Sequence, residues 1–544
     1  MTLSMGSDER ATACVGDIRH SFQQIKERFP MSEVWNEGYF TDVGYTYGYY
    51  RDISPTFQRF CLLLRGFAAP EPKPDAAHCE LGFGQGVSIN HHAAATPGLF
   101  VGTDFNPAHA AHANILADAS GSGARLYDDS FEQLLNRTDL PQFDSISLHG
   151  IWTWVSRDNH KVITEFARRH LKPGGVFYVS YNCFPGWSPN YPLRQIFALH
   201  DRFGNTPQGA VERVEAALKF SEDLLAANPK YTKLVPNLGN KLQSIMAQNR
   251  HYLAHEYFNR EWNCMYFTDV VDAMAPAKLD YACTAVPLDA VDVVNLSSEG
   301  LAFLKTIEHP ILREQVRDYF VNQQFRKDLY LRGARRLTGA EQRNRLLDLR
   351  FALLKSVDEV PMKVNAAAGE VTLQEALYRP LLEQLAAHDH APKSLRELMA
   401  SLPGQGYAAL LQEITVLIGM GVVAPCQSEA VTSQTRARCA ALNAHLLERA
   451  VFSADIDSLA SPVLGGGHTL GRIAQLFLRA LQQGLKTPQA WAQQVWEILE
   501  SQGQRLLKDG KPVANAEENL AELQRQAQDF ADKQLSVLKA LQIA

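Results

Sequence analysis

The sequence lacks most features that mark secreted, zinc-binding or nucleic-acid-binding proteins. Its eight cysteines include no Cys-x-x-Cys pair, so a structural metal site is not expected. The N-terminus, MTLSMGSDER, has neither a basic start nor a long apolar stretch, and the most apolar later run, at 415–425, is too short to cross a bilayer. A net charge of -6 does not favour general binding to nucleic acid or to anionic membranes. We therefore expect a cytoplasmic protein with reduced thiols and no bound metal.

The length of 544 residues exceeds what one hydrophobic core supports and predicts three or four domains. A proline-rich linker, APEPKPDA, covers residues 69–76 and marks one boundary. We divide the chain into a lid or lead-in segment (1–74), a Rossmann-like core (75–204), a helical insertion (205–262), the end of the core or a regulatory region (263–299), a winged-helix-like middle domain (300–426) and a helical C-terminal domain (427–544).

Strand-like and helix-like segments alternate after the linker. The predicted strands are 77–81, 99–105, 124–128, 143–150 and 175–182, each an apolar run of the kind that helices cover on both faces. Alternation of this kind predicts a doubly wound α/β domain with a mainly parallel sheet, which 263–290 completes. The segment Lys172-Pro173-Gly174-Gly175 is expected to be a tight turn before the fifth strand.

A glycine-rich segment, Glu80-Leu81-Gly82-Phe83-Gly84-Gln85-Gly86, follows the first predicted strand. Glycines at such a point let the backbone turn sharply and approach a ligand closely. The spacing differs from the dinucleotide pattern G-x-G-x-x-G, because Val87 stands where that pattern has its last glycine. Glu80 places a carboxylate where it suits a cationic, amino-bearing ligand better than a pyrophosphate.

Two further acids follow the second and third predicted strands. Asp104 lies 22 residues after Gly82, where an acid holds a ribose diol. Asp129 is placed to accept a hydrogen bond from an adenine amino group, or Asp128 does so while Asp129 caps the next helix. Their neighbours Phe105 and Ser130 complete the predicted cofactor set. The carboxyl ends of parallel strands meet at one edge, so these residues are expected to line one crevice.

At these motifs the chain resembles class I S-adenosylmethionine-dependent methyltransferases. The resemblance rests on ELGFGQG, VGTDFNP, YDDSF and LKPGG, within residues 75–200. It implies a transferase that uses S-adenosyl-L-methionine and releases S-adenosyl-L-homocysteine.

A narrower resemblance extends over the rest of the chain. The segments HGIWTWVS, YNCFPGW, YLAHEYFN, YFTDVVDAMAPAKLDY and SPVLGGG are similar to methyltransferases with a methyltransferase regulatory domain. Some bacterial protein-lysine methyltransferases that act on outer-membrane proteins share this layout. The resemblance therefore implies a protein lysine acceptor, with a cell-envelope protein as the partner.

Aromatic residues are expected to form the acceptor site. A lysine amine must arrive neutral, and aromatic faces favour the ammonium that forms. Trp154 and Tyr181 follow the fourth and fifth strands and are the predicted acceptor contacts, while His149 is a candidate general base or backbone contact. Further aromatic residues near this mouth are Trp152, Trp187 and the predicted lid residues Tyr39, Tyr45, Tyr47, Tyr49 and Tyr50.

Other functions remain open at this point. The strand-four exit reads HGIW instead of the N/D-P-P-Y signature of nucleic-acid amino methyltransferases, which argues against a base as acceptor. A small molecule or a lipopolysaccharide sugar is the alternative acceptor. A regulator that senses S-adenosylmethionine is the non-enzymatic alternative, although the helix YAALLQEITVLIGM has no Lys or Arg for DNA phosphates. The insertion at 205–262 is a candidate homodimer surface, and the C-terminal half either recruits substrate or restrains the active site.

Overall fold

The computed structural model describes residues 45–204, 209–257, 259–508 and 511–544. A seven-stranded sheet with the order β3-β2-β1-β4-β5-β7-β6 forms its centre. Its strands are β1 Ala77–Leu81, β2 Leu99–Thr103, β3 Arg125–Tyr127, β4 Phe143–Leu148, β5 Leu171–Asn182, β6 Leu279–Thr284 and β7 Phe325–Arg332. Strands β1 to β5 are parallel, and β7 runs antiparallel to both β5 and β6. The predicted Rossmann-like α/β core is confirmed.

Helices cover both faces of this sheet, which explains why every residue of β1 and β4 is buried. The helices of the core are Pro55–Leu64, Val87–Ala95, Pro107–Ser120, Phe131–Leu135, Arg157–His170 and Phe267–Met274. The predicted turn at 172–175 lies inside β5. Phe143 pairs with Leu171 whereas Ser145 pairs with Val176, so these residues bulge out of the ladder.

The position of the last core strand differs from the prediction. Strand β7 lies within the segment 300–426 that was assigned to the middle domain, so the sheet is not complete at residue 299. Three helices, Asp292–Asn295, Ser298–Lys305 and Pro310–Val321, separate β6 from β7. The sequence pattern did not predict this strand, because the first half of FRKDLYLR is charged and reads as a surface segment. In the structure Arg326 and Asp328 are nevertheless buried together.

The helical insertion has its own hydrophobic core and begins earlier than predicted. Its helices are Tyr191–Phe203, Ala210–Ala226, Lys230–Leu234, Leu238–Met246 and Arg250–Tyr257. Leu193 and Phe197 from the first of these helices pack with Leu218 and Leu242 from later ones. The helix Tyr191–Phe203, which the prediction placed in the core, therefore belongs to the insertion.

The middle region, for which a winged-helix pattern was predicted, combines helices with short strands. Its helices are Gly339–Leu347, Glu375–Ala386, Leu395–Ser401 and Tyr407–Gly419, and its strands are β8 Arg350–Leu353, β9 Lys363–Ala366, β10 Gly369–Thr372, β11 Lys393–Ser394 and β12 Val423–Cys426. Strand β8 pairs with β11 and β12 on its two sides. The helix Tyr407–Gly419 buries most of its second half and packs on the turn Pro287–Ala290, so it is a packing helix.

The C-terminal region packs directly on the core. Its helices are Glu429–Ala450, Arg472–Gln482, Pro488–Ser501, Ala516–Asp529 and Leu535–Ala540, and its hairpins are β13 Ser458–Ser461 with β14 Gly466–Thr469 and β15 Leu507–Lys508 with β16 Lys511–Pro512. The first hairpin and the helix Glu429–Ala450 lie against the core helix Val87–Ala95, all nine residues of which are buried. Among the described helices, none combines the length and apolarity that crossing a membrane requires.

Candidate active site

Three glycines shape the loop after β1, each with a positive φ: +74° at Gly82, +57° at Gly84 and +74° at Gly86. A Cβ atom at Gly82 would lie 2.6 Å from Ile151 Cδ1, and one at Gly86 would lie 2.3 Å from Ala113 Cβ. These two positions need glycine for close packing as well as for backbone conformation. Gly84 lies under the ring of Tyr45, which a Cβ atom would approach to 3.3 Å.

The side chain of Asp104 holds this loop in shape. Its Oδ2 accepts a hydrogen bond from the backbone N–H of Gly84 at 2.8 Å. Its Oδ1 accepts from the Asn106 N–H at 3.1 Å and lies 3.0 Å from His109 Nδ1. A carboxylate offers about four acceptor positions, so the three contacts leave room for one more donor. The predicted contact of Asp104 with a ribose stays a prediction.

Glu80 is a buried carboxyl group beside the loop. Burial, together with the nearby charge of Asp104, raises the pKa of Glu80 to about 8. None of the described residues donates a hydrogen bond to its carboxylate. A buried carboxyl in this state would be stabilised in its charged form by a cationic ligand. The residues around the loop therefore fit a ligand that carries an amino group.

The third acidic position differs in detail from the prediction. Ser130 caps the helix Phe131–Leu135 through its hydroxyl, which accepts from the Gln133 N–H at 3.2 Å, so Asp129 is not the cap. The Asp129 carboxylate accepts hydrogen bonds from Arg137, while Asp128 is exposed. Phe105 is half-buried at the end of β2. The roles of Phe105, Asp129 and Ser130 in cofactor binding stay predictions.

Residues 45–50, called the strap below, lie across the glycine loop. The N–H of Tyr50 donates to Ser88 Oγ at 2.8 Å, and Gln85 Nε2 donates to the carbonyl oxygen of Tyr45 at 3.2 Å. Tyr49 packs against both His91 and His92 of the helix that follows the loop. This position agrees with the lid that the aromatic residues predict. Tyr39, also predicted for the lid, lies outside the described residues.

His149 follows β4 and lies under the strap. Its ring stacks on Tyr50 with centroids 4.0 Å apart, and its Nδ1 is 2.8 Å from the Tyr178 hydroxyl. Burial, together with the charge of Lys327, lowers the pKa of His149 to about 3. The imidazole is therefore neutral near pH 7, but it is too weakly basic to drive deprotonation of a hydroxyl group.

Tyr181 does not face the crevice, contrary to the prediction. Its side chain is fully buried, and its hydroxyl donates to Asp328 Oδ2 at 2.6 Å. Side chains alternate along a strand, so its neighbour Ser180 points the other way and accepts a hydrogen bond from the Gly150 N–H at 2.7 Å. Tyr181 therefore belongs to the buried network around Arg326, which also binds Asp318 and Glu314.

Trp154, the other predicted acceptor contact, is half-buried in a short helical turn after β4. Its ring lies 6.3 Å from that of Trp262, which in turn contacts Trp187 at 5.0 Å and Tyr191 at 5.3 Å. We call these four residues the mouth cluster. Sequence reasoning missed Trp262 and Tyr191, because they come from the two ends of the helical insertion. Only the fold brings them beside the end of β4.

Three features together define a class I methyltransferase core: the strand order with an antiparallel β7, the glycine loop, and the acids Glu80 at the end of β1 and Asp104 after β2. Comparison with known proteins agrees. A family described as "Methyltransferase domain" matches residues 79–179, and one described as "Predicted methyltransferase regulatory domain" matches 249–332. An uncharacterized protein of Synechocystis sp., sll1526, is 37% identical over 94% of this chain and 100% of its own length.

The chain belongs to the class I S-adenosylmethionine-dependent methyltransferases that carry a methyltransferase regulatory domain. It is a methyltransferase, and its cofactor is S-adenosyl-L-methionine. Among solved structures, PKMT2 from Rickettsia typhi in complex with AdoHcy is similar in fold, with a TM-score of 0.68 and 19% identity over 92% of this chain and 100% of that chain. The uncharacterized protein RP789 of Rickettsia prowazekii is 26% identical over 49% of this chain and 47% of its own length.

The residues around the glycine loop fit this cofactor. Glu80 presents a buried carboxyl that lacks a donor among the described residues, and Asp104 keeps an acceptor position at the end of β2. S-adenosylmethionine, when bound, supplies an activated methyl group on sulfur. The chain's own part is to hold the loop through Asp104 and to cover it with the strap.

Proposed function

We propose that the protein transfers methyl groups from S-adenosylmethionine to lysine side chains of a protein substrate. The observation that carries the proposal is the mouth cluster, in which Trp154, Trp187, Tyr191 and Trp262 meet beside the end of β4. Such a surface suits a methylated amine, because aromatic rings attract the ammonium form and disfavour its hydration.

A cation already packs on this cluster. The guanidinium carbon of Arg194 lies 4.9 Å from the centre of the Trp262 ring, so one aromatic face makes a cation–π contact within the protein. Trp154 is only half-buried and leaves part of the cluster accessible to an acceptor. The resemblance of the sequence to bacterial protein-lysine methyltransferases supports a lysine at this position.

The state of His149 argues against the alternative of a sugar hydroxyl. Removing a hydroxyl proton needs a base close to the end of β4, and no imidazole with a pKa near 3 provides one at neutral pH. A neutral amine needs no such base, since its lone pair is the nucleophile. We further propose that the substrate is a cell-envelope protein and that it is methylated in the cytoplasm before its export.

A labelled-methyl assay tests this function. The full-length protein is incubated with S-adenosylmethionine carrying a radioactive methyl group and with denatured cell-envelope proteins, and the label is located by amino-acid analysis. We expect it in methylated lysines. The matched control is the same extract after chemical acetylation of its lysines, which should remove the incorporation. Label that persists after acetylation, or that is found in sugar or lipid, would contradict the lysine assignment.

A further inference from the structure

A large cavity is lined in part by Tyr49 and Tyr50 of the strap. Its volume is about 890 Å³, and its walls come from three parts of the chain: the strap with Lys327 of β7, the middle region around Leu354 and Lys355, and the C-terminal region around Leu470 and Lys533. Neither Glu80 nor Asp104 lines it. We call this cavity the three-domain cleft.

Basic side chains outnumber acidic ones in this cleft. Arg51, Lys327, Lys355 and Lys533 line it, against Asp52 and Glu359. Lys327 is paired with Asp52, and Lys533 lies 3.4 Å from Asp529. Within the described part of the chain, Arg51 and Lys355 have no carboxylate within ion-pair distance. Among the described residues that line it, the cleft therefore has an excess of positive charge, which favours an anionic occupant.

His468 adds no charge to the cleft at pH 7, because burial, with Lys355 as the second cause, lowers its pKa to about 4. A helix end does add to the positive potential of the cleft. The N-terminal end of the helix Arg472–Gln482 borders the cleft through Gly471 and Ala474. Its unpaired N–H groups carry partial positive charge.

Part of the lining of the cleft is apolar. Leu354, Leu470, Val537 and Leu538 line it together with Phe57. A small inorganic anion gains nothing from these side chains, whereas a polypeptide places its apolar side chains against them and its carboxylates against the basic residues. The volume also exceeds what a single ion fills. The lining thus fits an extended polypeptide segment with both acidic and apolar residues.

The cleft and the active site share a wall. Tyr49 and Tyr50 line the cleft, while Tyr50 also stacks on His149 at the end of β4. Lys327 lines the cleft and acts on the same histidine through its charge. A segment bound in the cleft is therefore separated by one layer of side chains from the strand end to which the acceptor comes.

We infer that the three-domain cleft binds an acidic, partly apolar segment of the protein substrate, away from the lysine that receives the methyl group. This inference rests on the proposed protein substrate and adds a second point of recognition. The occupant is a polypeptide of the substrate, recognised by charge complementarity with Arg51, Lys355 and Lys533.

Equilibrium binding to the full-length protein tests the inference. The probes are a fluorescein-labelled peptide of Glu, Leu and Gly and a counterpart in which every Glu is replaced by Lys. Anisotropy should show binding of the Glu peptide alone, weakening as salt is raised. The double variant Lys355→Glu/Lys533→Glu should weaken binding by about tenfold or more, because two attractive contacts become repulsive. The matched control is Lys539→Glu, on the exposed side of the last helix and outside the cleft.

Binding of S-adenosylhomocysteine and thermal melting report whether each variant is folded. Equal binding of the two peptides to the unaltered protein, or an unchanged dissociation constant in the folded double variant, would overturn the cleft assignment. The assay needs no methyl transfer, so its failure is distinct from a failure of the lysine proposal, which is decided by where the label is found.

Discussion

The carboxylate of Asp104 accepts a hydrogen bond from the backbone N–H of Gly84 at 2.8 Å, which ties the end of β2 to the middle of the glycine loop. The bond joins two neighbouring strand ends, and each of the two residues depends on the other. Without the carboxylate the loop loses the acceptor that fixes its N–H, and without glycine at position 84 the backbone is strained at φ +57°.

The first prediction concerns this pair. Asp104→Ala and Gly84→Val should each weaken binding of S-adenosylhomocysteine by about tenfold to a hundredfold, since a charge-assisted bond or a left-handed backbone position is lost. Titration calorimetry measures the effect, with NAD as a ligand that should not bind. Asp118→Ala, an exposed acid in the helix Pro107–Ser120, is the matched control and should bind normally. Normal binding in both loop variants would mean that the cofactor site lies elsewhere.

The second prediction concerns the proton on Glu80. Burial raises the pKa of Glu80 to about 8 from 4.5, so the ligand-free folded state keeps a proton that the unfolded chain releases. The associated stability is fully present below pH 4.5 and is lost as the pH rises through 8. Glu80→Gln cannot ionise, so its melting temperature relative to the unaltered protein should rise between pH 5 and pH 8. A difference that does not vary with pH would contradict the raised pKa.

The same carboxyl links binding to proton release. A cofactor amino group next to Glu80 would favour its charged form, so binding of S-adenosylhomocysteine near pH 7 should release about one proton. Calorimetry in phosphate and in Tris separates this contribution, because the two buffers take up protons with different heats. Glu80→Gln should abolish the difference between the buffers. Identical heats with the unaltered protein would show that Glu80 does not change its protonation on binding.

The fourth prediction corrects the role of Tyr181. Its hydroxyl donates to the buried Asp328, so Tyr181→Phe should reduce the free energy of unfolding by about 1–3 kcal/mol. The turnover number of the folded enzyme should not change, because the side chain does not reach the crevice. Urea denaturation and a methyl-transfer assay measure the two effects. Tyr407→Phe, a half-buried tyrosine of the middle region, is the control. A selective loss of turnover would return Tyr181 to the acceptor site.

The fifth prediction concerns the contact between the hairpin β13–β14 and the strap. A Cβ atom at Gly466 would lie 2.4 Å from the Tyr49 hydroxyl, so Gly466→Ala should cost about 1–3 kcal/mol of stability through overpacking. Because Tyr49 also touches His91 and His92, the variant should weaken cofactor binding too. Gly404→Ala, which has open space around it, is the matched control. Equal melting temperatures for the two variants would contradict the tight contact.

The parts of the fold that were predicted correctly are those with local signals. The strand predicted at 77–81 is present and buried, the one predicted at 143–150 is present and buried over Phe143–Leu148, and ELGFGQG contains glycines with left-handed backbone conformation between a strand and a helix. Such features depend on residues close together in the chain, so hydrophobic pattern and glycine spacing reveal them. Asp104 was likewise placed correctly at the end of its strand beside the loop, whereas its predicted contact with a ribose stays a prediction.

The features that escaped prediction depend on distant partners. Strand β7 contains Arg326 and Asp328, which a sequence pattern reads as polar surface, yet Arg326 is buried among Glu314, Asp318 and Asp328. The direction of Tyr181 depends on the pairing of β5 with β7, since a shift of one residue would turn its side chain to the other face. Trp262 reaches Trp154 only because the insertion folds back on the core.

The burial of the helix Val87–Ala95 limits which fragments of this chain are expected to fold independently. The C-terminal region covers the helix that begins at the cofactor loop, and His91 and His92 are sealed by contacts with the hairpin and the strap. A fragment limited to the Rossmann-like segment would expose this face to water and lose the support of the loop. We therefore expect the catalytic core and the C-terminal region to fold as one unit. The core is not expected to keep its structure as an isolated domain.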